Sequence, residues 1–323
     1  MTRRCLAILA GAFALMLAMP GAPAQAQNFP TKPITLVIPW PPGGPTDRHL
    51  RVLADIAGKH LGQPVIVDNK PGASGTMGGA LVAGTAKPDG YTVVQLPLTI
   101  FRLPYMQKTT WDPKKDFSYI IHLTGYTLGV AVHADSPWMT WKDLLTYAKA
   151  NPTTLRYGTS GTGSTPHLTM ERIAEIENIK WTQVPFKGEA ESSAALLGKH
   201  VEVLASGTGL FPLVQAGQLR MLVVWTEQRA LQFPEVPTLM EAGQNLISAS
   251  PYGLAGPKGM DPKIMKILHD AFHKALLDPA HIKMLNDISQ PVMYKNSADY
   301  AAFALQQIAE QQEMIAKLGL GAK

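Results

Sequence analysis

The sequence predicts an α/β protein with a largely parallel sheet, divided between two lobes, and three observations lead there. Short β-branched runs alternate with helical patterns, which is the signature of α/β architecture. The alternation comes in two blocks, with a helical stretch after the second. The chain has 323 residues, 46% hydrophobic and 16% charged, an ordinary globular composition with length for two domains at ~100–200 residues each.

The elements follow in order. Arg3-Arg4, the apolar run Cys5–Met19 and the small residues of Ala24-Gln25-Ala26 read as a signal peptide over residues 1–26, cleaved near Ala26. The run falls short of the ~20 apolar residues of a spanning helix. Arg3-Arg4-Cys5-Leu6 lacks most of a twin-arginine pattern, and Cys5 stands at the start of the apolar run rather than after it, which argues against a lipid-modified terminus. Cys5 is the only cysteine, so the mature chain is expected to use no disulfide, cysteine nucleophile or thiolate metal ligand. The first block then reads as strand Ile34–Pro39, helix Thr46–Leu61, strand Pro64–Asp68, helix Ser74–Ala86 and, after the Pro88-Asp89-Gly90 turn, strand Tyr91–Leu96.

The second block begins at strand Gly129–His133 and runs through helix Trp141–Ala150, strand Leu155–Gly158, helix Ser164–Glu177, strand Gln183–Phe186 and helix Glu189–Leu197. Strands Val201–Ala205 and Leu219–Thr226 close it. Beyond Pro251-Tyr252-Gly253-Leu254 the chain is expected to be helical to its end, as Pro262–Leu277, Pro279–Asp287 and Ala298–Leu318, with this tail packing back on the first lobe.

Four loops share one design, in which a strand ends, glycines and small residues follow, and a helix starts: Pro39–Asp47, Asn69–Gly75, Gly158–His167 and Pro185–Glu189. In a parallel α/β sheet such loops sit at the carboxyl ends of strands, where ligands bind. The first turn of a helix carries unpaired N–H groups and partial positive charge, so an anion fits there without an arginine. Thr46 or Asp47 is expected to cap the first helix, leaving the Gly43 and Gly44 amides free. A turn and a cap explain any single loop; four together favour a shared anion-binding cleft.

Other chemistries lack their motifs. There is no G-x-x-x-x-G-K-[ST], the glycines of Gly158–Gly163 are wrongly spaced for a dinucleotide site, and Thr162 breaks a G-x-S-x-G elbow. His269 and His273 lie four apart on a helix, yet Asp270 stands where a zincin carries Glu, and surface histidines are the plainer reading. No metal and no cofactor are expected. Net charge is +5, or +3 without Arg3 and Arg4, and the cations are scattered. That speaks against nucleic acid and suits anionic small molecules.

The ordered set Pro39-Trp40-Pro41-Pro42-Gly43-Gly44-x-x-Asp47, Asn69–Gly75, Pro88–Thr92, Gly161-x-Gly163-Ser164-x-x-His167-Leu168 and Val184–Gly188 resembles the Bug-type periplasmic receptors of tripartite tricarboxylate transporters. Gln215–Arg220, Pro234–Thr238 and Gly253–Pro257 agree, and the likeness runs from about Phe29 to the C-terminus. The resemblance implies a bilobed type II periplasmic binding protein fold, two α/β lobes joined by two crossings. Lobe one would span residues 28–127 and 252–323, and lobe two 128–251. It implies a small-carboxylate site with Trp40, Pro42, Gly43, Gly44, Asp47 and Thr99 on one side and Ser160, Gly163, Ser164, His167 and Ser206 on the other. Trp40 stands where the family often has Phe. Many relatives carry an acid near the strand end that is here Ser206-Gly207-Thr208, so the resemblance points to an unaminated acid, a dicarboxylate or aromatic acid.

The expectation is therefore a monomeric periplasmic receptor that captures an organic acid by hinged closure and delivers it to a membrane permease, without catalysis. The rival is a secreted hydrolase or lyase acting on a small carboxylate through His167 with Ser160 or Ser164, for which no third orienting group is evident. A sensory role is a third reading.

Overall fold

A computed structural model describes residues 29–322, and the signal peptide expected over residues 1–26 lies outside them. Two β-sheets, each flanked by helices, make up the described chain. The first has six strands in the order β11-β4-β10-β3-β1-β2: β1 Ile34–Ile38, β2 Val65–Asn69, β3 Thr92–Pro97, β4 Phe117–Tyr126, β10 Ser250–Pro257 and β11 Val292–Lys295. The second has five in the order β7-β6-β8-β5-β9: β5 Gly129–His133, β6 Arg156–Thr159, β7 Thr182–Pro185, β8 Val203–Ser206 and β9 Leu219–Val224. The chain passes from the first sheet to the second at Thr127-Leu128 and returns through 225–249 into β10.

Helix α1, Pro45–Leu61, starts with proline in its first turn and ends on Gly62 at φ +68, the left-handed stop that glycine adopts without strain. Its apolar stripe, Leu50, Leu53, Ala54 and Ala57, is buried in one core with Leu36 and Ile38 of β1 and with Leu268 and Phe272 of α8, Pro262–Leu276. Helix α10, Ser297–Lys317, buries Tyr300, Ala304 and Ile308 beside Val94, Leu96, Phe101 and Ala255. The C-terminal helices thus share cores with the N-terminal strands, because β10 returns the chain into the first sheet between β4 and β3. A separate core, with Val130, Trp141, Tyr157, Ile173, Val203 and Trp225, lies on one face of the second sheet.

The sheets are mixed rather than largely parallel. Strand β1 runs parallel to β2 and β3, and β6 to β7 and β8, but β10 is antiparallel to β3 and β4, and β5 to β8 and β9. The crossing segments reverse direction as they change sheets, so they enter antiparallel. The sequence assigned no element to strand β10, which carries two prolines and two glycines, yet every residue of it is buried. Gly253 is demanded by close approach: a Cβ there would lie 2.3 Å from the Ile121 carbonyl oxygen. The tail is interrupted by β11, between α9 (Pro279–Asp287) and α10. The helix expected over 74–86 begins instead as a 3₁₀ turn at Ala73–Gly75, with Ser74 left-handed at φ 55, before α2, Met77–Thr85. Helix α3, Thr99–Met106, lies in a stretch to which the sequence assigned no element.

Candidate functional site

The carboxyl ends of β1, β3, β6 and β8 converge on one cavity between the two sheets. Its walls are Trp40, Gly44, Thr46, Thr99 and Tyr126 from the first sheet's side and Ser160, Ser164, Thr165, Glu189 and Ser206 from the second's, with Ser250 at the returning crossing. It offers about 70 Å³ to the centres of water-sized atoms, room for ~5 of them at ~10–15 Å³ each. No lysine or arginine lines it.

The donors are neutral. Helix α1 begins after Gly44 with no side-chain cap, so neither Thr46 nor Asp47 caps it as expected, and no hydrogen bond among the described residues ends on the Gly44 or Thr46 amide. The Tyr126 hydroxyl accepts from Thr46 Oγ1 at 3.1 Å and from Gln95 Nε2 at 3.4 Å, which leaves its own proton to donate. Burial pushes that phenol well above its usual range, so it stays protonated. Opposite, α5 (Thr165–Glu177) starts from Ser164, whose hydroxyl accepts from the His167 amide at 3.4 Å and donates to the Gly161 carbonyl at 2.6 Å. Thr165 Oγ1 lies 3.0 Å from Ser250 Oγ. Hydroxyls and helix amides ringing a closed space suit an anion without a counter-cation in contact.

Of the residues singled out in the sequence, Trp40, Gly44, Thr99, Ser160, Ser164 and Ser206 line the cavity; Pro42, Gly43, Asp47, Gly163 and His167 do not. Gly43 does not keep a free amide: it donates to Asp47 Oδ2 at 2.9 Å. Asp47 Oδ1 takes Arg51 Nε at 3.0 Å and Asn69 Nδ2 at 2.8 Å, and Asn69 also donates to the Trp40 carbonyl. Asp47 therefore shapes the loop rather than facing the cavity. Burial pushes its pKa up, but the Arg51, Gly43 and Asn69 donors outweigh that and leave it lowered. Asp47→Ala is expected to cost about 1–3 kcal/mol of stability at neutral pH. A group depressed below 3.8 contributes above that pH and loses its contribution as pH falls through the folded value. Urea unfolding at pH 7 and pH 3 should therefore show the gap between wild type and variant narrowing in acid.

His167 is turned inward: its Nδ1 accepts from the Gly163 amide at 3.1 Å, and burial, with Arg102 nearby, depresses its pKa to about 4. Neither Ser160 nor Ser164 hydrogen-bonds its ring, so the serine–histidine pairing a hydrolase needs is not formed.

Glycines of the loops expected to hold the ligand, Gly163 among them, instead meet the opposite side of the cleft. A Cβ on Gly188 would lie 2.9 Å from Pro41 Cδ, on Gly161 2.4 Å from Ser74 Oγ, and on Gly163 3.0 Å from Met106 Sδ. Ser74 Oγ also donates to the Thr162 carbonyl at 2.7 Å. The two units are closed on one another. The sequence reading missed Tyr126, Thr165, Glu189 and Ser250. Thr165 and Glu189 each stand in the first turn of a helix behind a glycine loop, a signal that was there to use.

Two α/β units, crossed twice by the chain and closed over a cavity of hydroxyls and helix N-termini, define a periplasmic-binding-protein class of solute receptor. The structure of the periplasmic binding protein BugD matches with a TM-score of 0.86 at 27% identity, covering 91% of this chain and 100% of that one. A family model described as the tripartite tricarboxylate transporter family receptor matches residues 49–320, and the chain belongs to that family, as a Bug-type receptor. A Cupriavidus necator relative, "UPF0065 protein in gbd 5'region", is 48% identical across 97% of this chain and 95% of its own length. The R. palustris protein Rpa4515, solved with adipate, aligns at TM-score 0.85 and 29% identity, covering 91% of this chain and 99% of that one.

Proposed function

We propose that this chain is exported behind the signal peptide of residues 1–26, binds a small organic carboxylate in the cleft as a monomer, and delivers it without chemical change to the transporter's membrane permease. The units over residues 28–127 with 252–323 and over 128–251 act as lobes that hinge about the two crossings, and a ligand bridging them favours the closed state. The observation that carries this reading is the set of unspent donors facing one cavity: the Gly44 and Thr46 amides and the Tyr126 hydroxyl. Adipate in the similar R. palustris protein supports a carboxylate as the ligand.

The test is thermal unfolding against a panel of organic acids that includes adipate. A ligand at 100 times its Kd stabilises by roughly 2.7 kcal/mol, which for a chain of this size raises Tm by about 5 °C. A panel of mono-, di- and tricarboxylates that leaves Tm unmoved would end the proposal.

A further inference from the structure

The cavity between the sheets shares a wall with a second pocket. Tyr126 and Ser250 line both, and the second offers about 510 Å³ to the centres of water-sized atoms. It is built at the two crossings. The first supplies Thr127, the returning one residues 226–231 with Ile247 and Ala249, and the stretch after α9 residues 289–291 with Met293.

The exposed part of this pocket is apolar: Leu231 is 79% and Ile247 46% exposed. Its buried part is polar and unsatisfied. Ser289 Oγ and Gln290 Nε2 have no hydrogen-bond partner, although the two residues are only 8% and 2% exposed. The acceptors beside them are already used: the Ser289 carbonyl takes the Thr127 hydroxyl, and Gln290 Oε1 takes the Tyr252 hydroxyl at 2.7 Å. Buried polar groups left unpaired are costly and call for a partner. The charged lining residues, Glu227 and Arg229, are both exposed, and Arg229 is held by Glu241 at 2.8 Å and by the Pro234 carbonyl at 2.7 Å. A charged group beside Ser289 and Gln290 would therefore be desolvated without a counter-charge, whereas a neutral one would not.

We infer that this pocket is a second binding site, separate from the cleft, for a neutral amphiphile. An aliphatic body lies on Leu231, Ile247 and Met293, and a hydroxyl or carboxamide head meets Ser289 and Gln290. Because the walls come from both crossings, an occupant holds the two units in their closed arrangement, so it tightens the acid in the cleft by linkage. Two contacts join the sites. Tyr126 is a wall of both, and Gln290 holds Tyr252, whose ring packs on Tyr126 with centroids 4.5 Å apart. The site stands without the receptor reading, and the tightening rests on it.

Isothermal titration at pH 7 with hexanamide, 1-hexanol and hexylammonium tests the site on wild type, Ser289→Ala and Ala249→Phe. Ser289 Oγ makes no bond and Ala249 is exposed, so both variants should melt like wild type. At least one neutral probe is expected to bind wild type about 10-fold tighter than hexylammonium. It should weaken about 2–10-fold on Ser289→Ala, the worth of one neutral hydrogen bond, and be lost on Ala249→Phe, whose ring fills the pocket. At saturation it should tighten a panel acid about 5-fold. The inference is overturned if neither neutral probe binds, if hexylammonium binds as tightly, or if Ala249→Phe leaves binding intact. It also falls if the bound probe leaves the affinity of the acid unchanged, or if the acid displaces the probe, which would place the probe in the cleft. An acid panel that leaves Tm unmoved removes the receptor reading, while the neutral probes on wild type and Ala249→Phe still decide the site.

Discussion

Leucine at Gly188 is expected to hold the two units apart and to weaken ligand binding by about 100-fold or more while each unit stays folded. Gly188 has φ 174, extended backbone that any residue adopts, so the substitution adds no local strain. Its Cβ, however, would meet Pro41 Cδ at 2.9 Å and Cγ at 3.2 Å. A proline ring fixed between Trp40 and Pro42 cannot swing aside as a lysine tip could. If relieving that overlap costs closure about 3 kcal/mol, apparent affinity falls by about two decades at ~1.4 kcal/mol per decade. Small-angle scattering with saturating ligand checks the mechanism: wild type contracts on binding and Gly188→Leu stays extended. A variant that binds and contracts like wild type would show that this contact does not form on closure.

How much of this was legible in the sequence depends on how local the cause is. Helix Glu189–Leu197, helix Trp141–Ala150 and strand Gly129–His133 stand where their periodicity puts them, because a stripe or an alternation is written in neighbouring residues. Strand β10 was invisible: its glycines and prolines break any alternation of side chains, and the reason for Gly253 is a carbonyl of Ile121, more than a hundred positions away. Pairing direction was lost likewise, since β5 and β10 owe theirs to the route between sheets. At the site, Gly44, Ser160 and Ser164 could be found because a loop before a helix is a local pattern with a physical use. Gly43 misled because a side chain four residues on claims its amide. For Arg102 and Tyr126, type and place in the sequence say nothing of burial, which only the packed helices and crossings decide.

Acidification from pH 6.5 to 4 is expected to remove most of the stability of this protein, and histidines rather than carboxylates should be the cause. His49, His122 and His281 are 0% exposed and His167 is 6% exposed. Burial depresses His122 and His167 to about 4, with Lys295 and Arg102 respectively adding to the effect. Burial also holds His49 far below 6.5, and His281, whose ring nitrogen lies 3.3 Å away, repels a second charge. The unfolded chain takes up protons below about 6.5 that the native rings refuse, so stability is whole above that pH and falls as pH drops toward the folded values. Each such ring contributes about 1.4 kcal/mol per pH unit across that window. His122 and His167 together give roughly 3 kcal/mol per unit, against a total of about 5–15 kcal/mol for a typical protein. The carboxylates held low begin to matter only below their ordinary values, 3.8 for Asp47 and 4.5 for Glu177 and Glu202, so a decline that starts near pH 6 belongs to the histidines. Thermal unfolding by circular dichroism at half-unit steps from pH 8 to 4 measures it. His122→Phe keeps an aromatic ring against Tyr300 and Phe303 and should flatten the slope by about one proton. A melting temperature that stays level between pH 7 and 5 would mean that these rings accept protons without leaving the core.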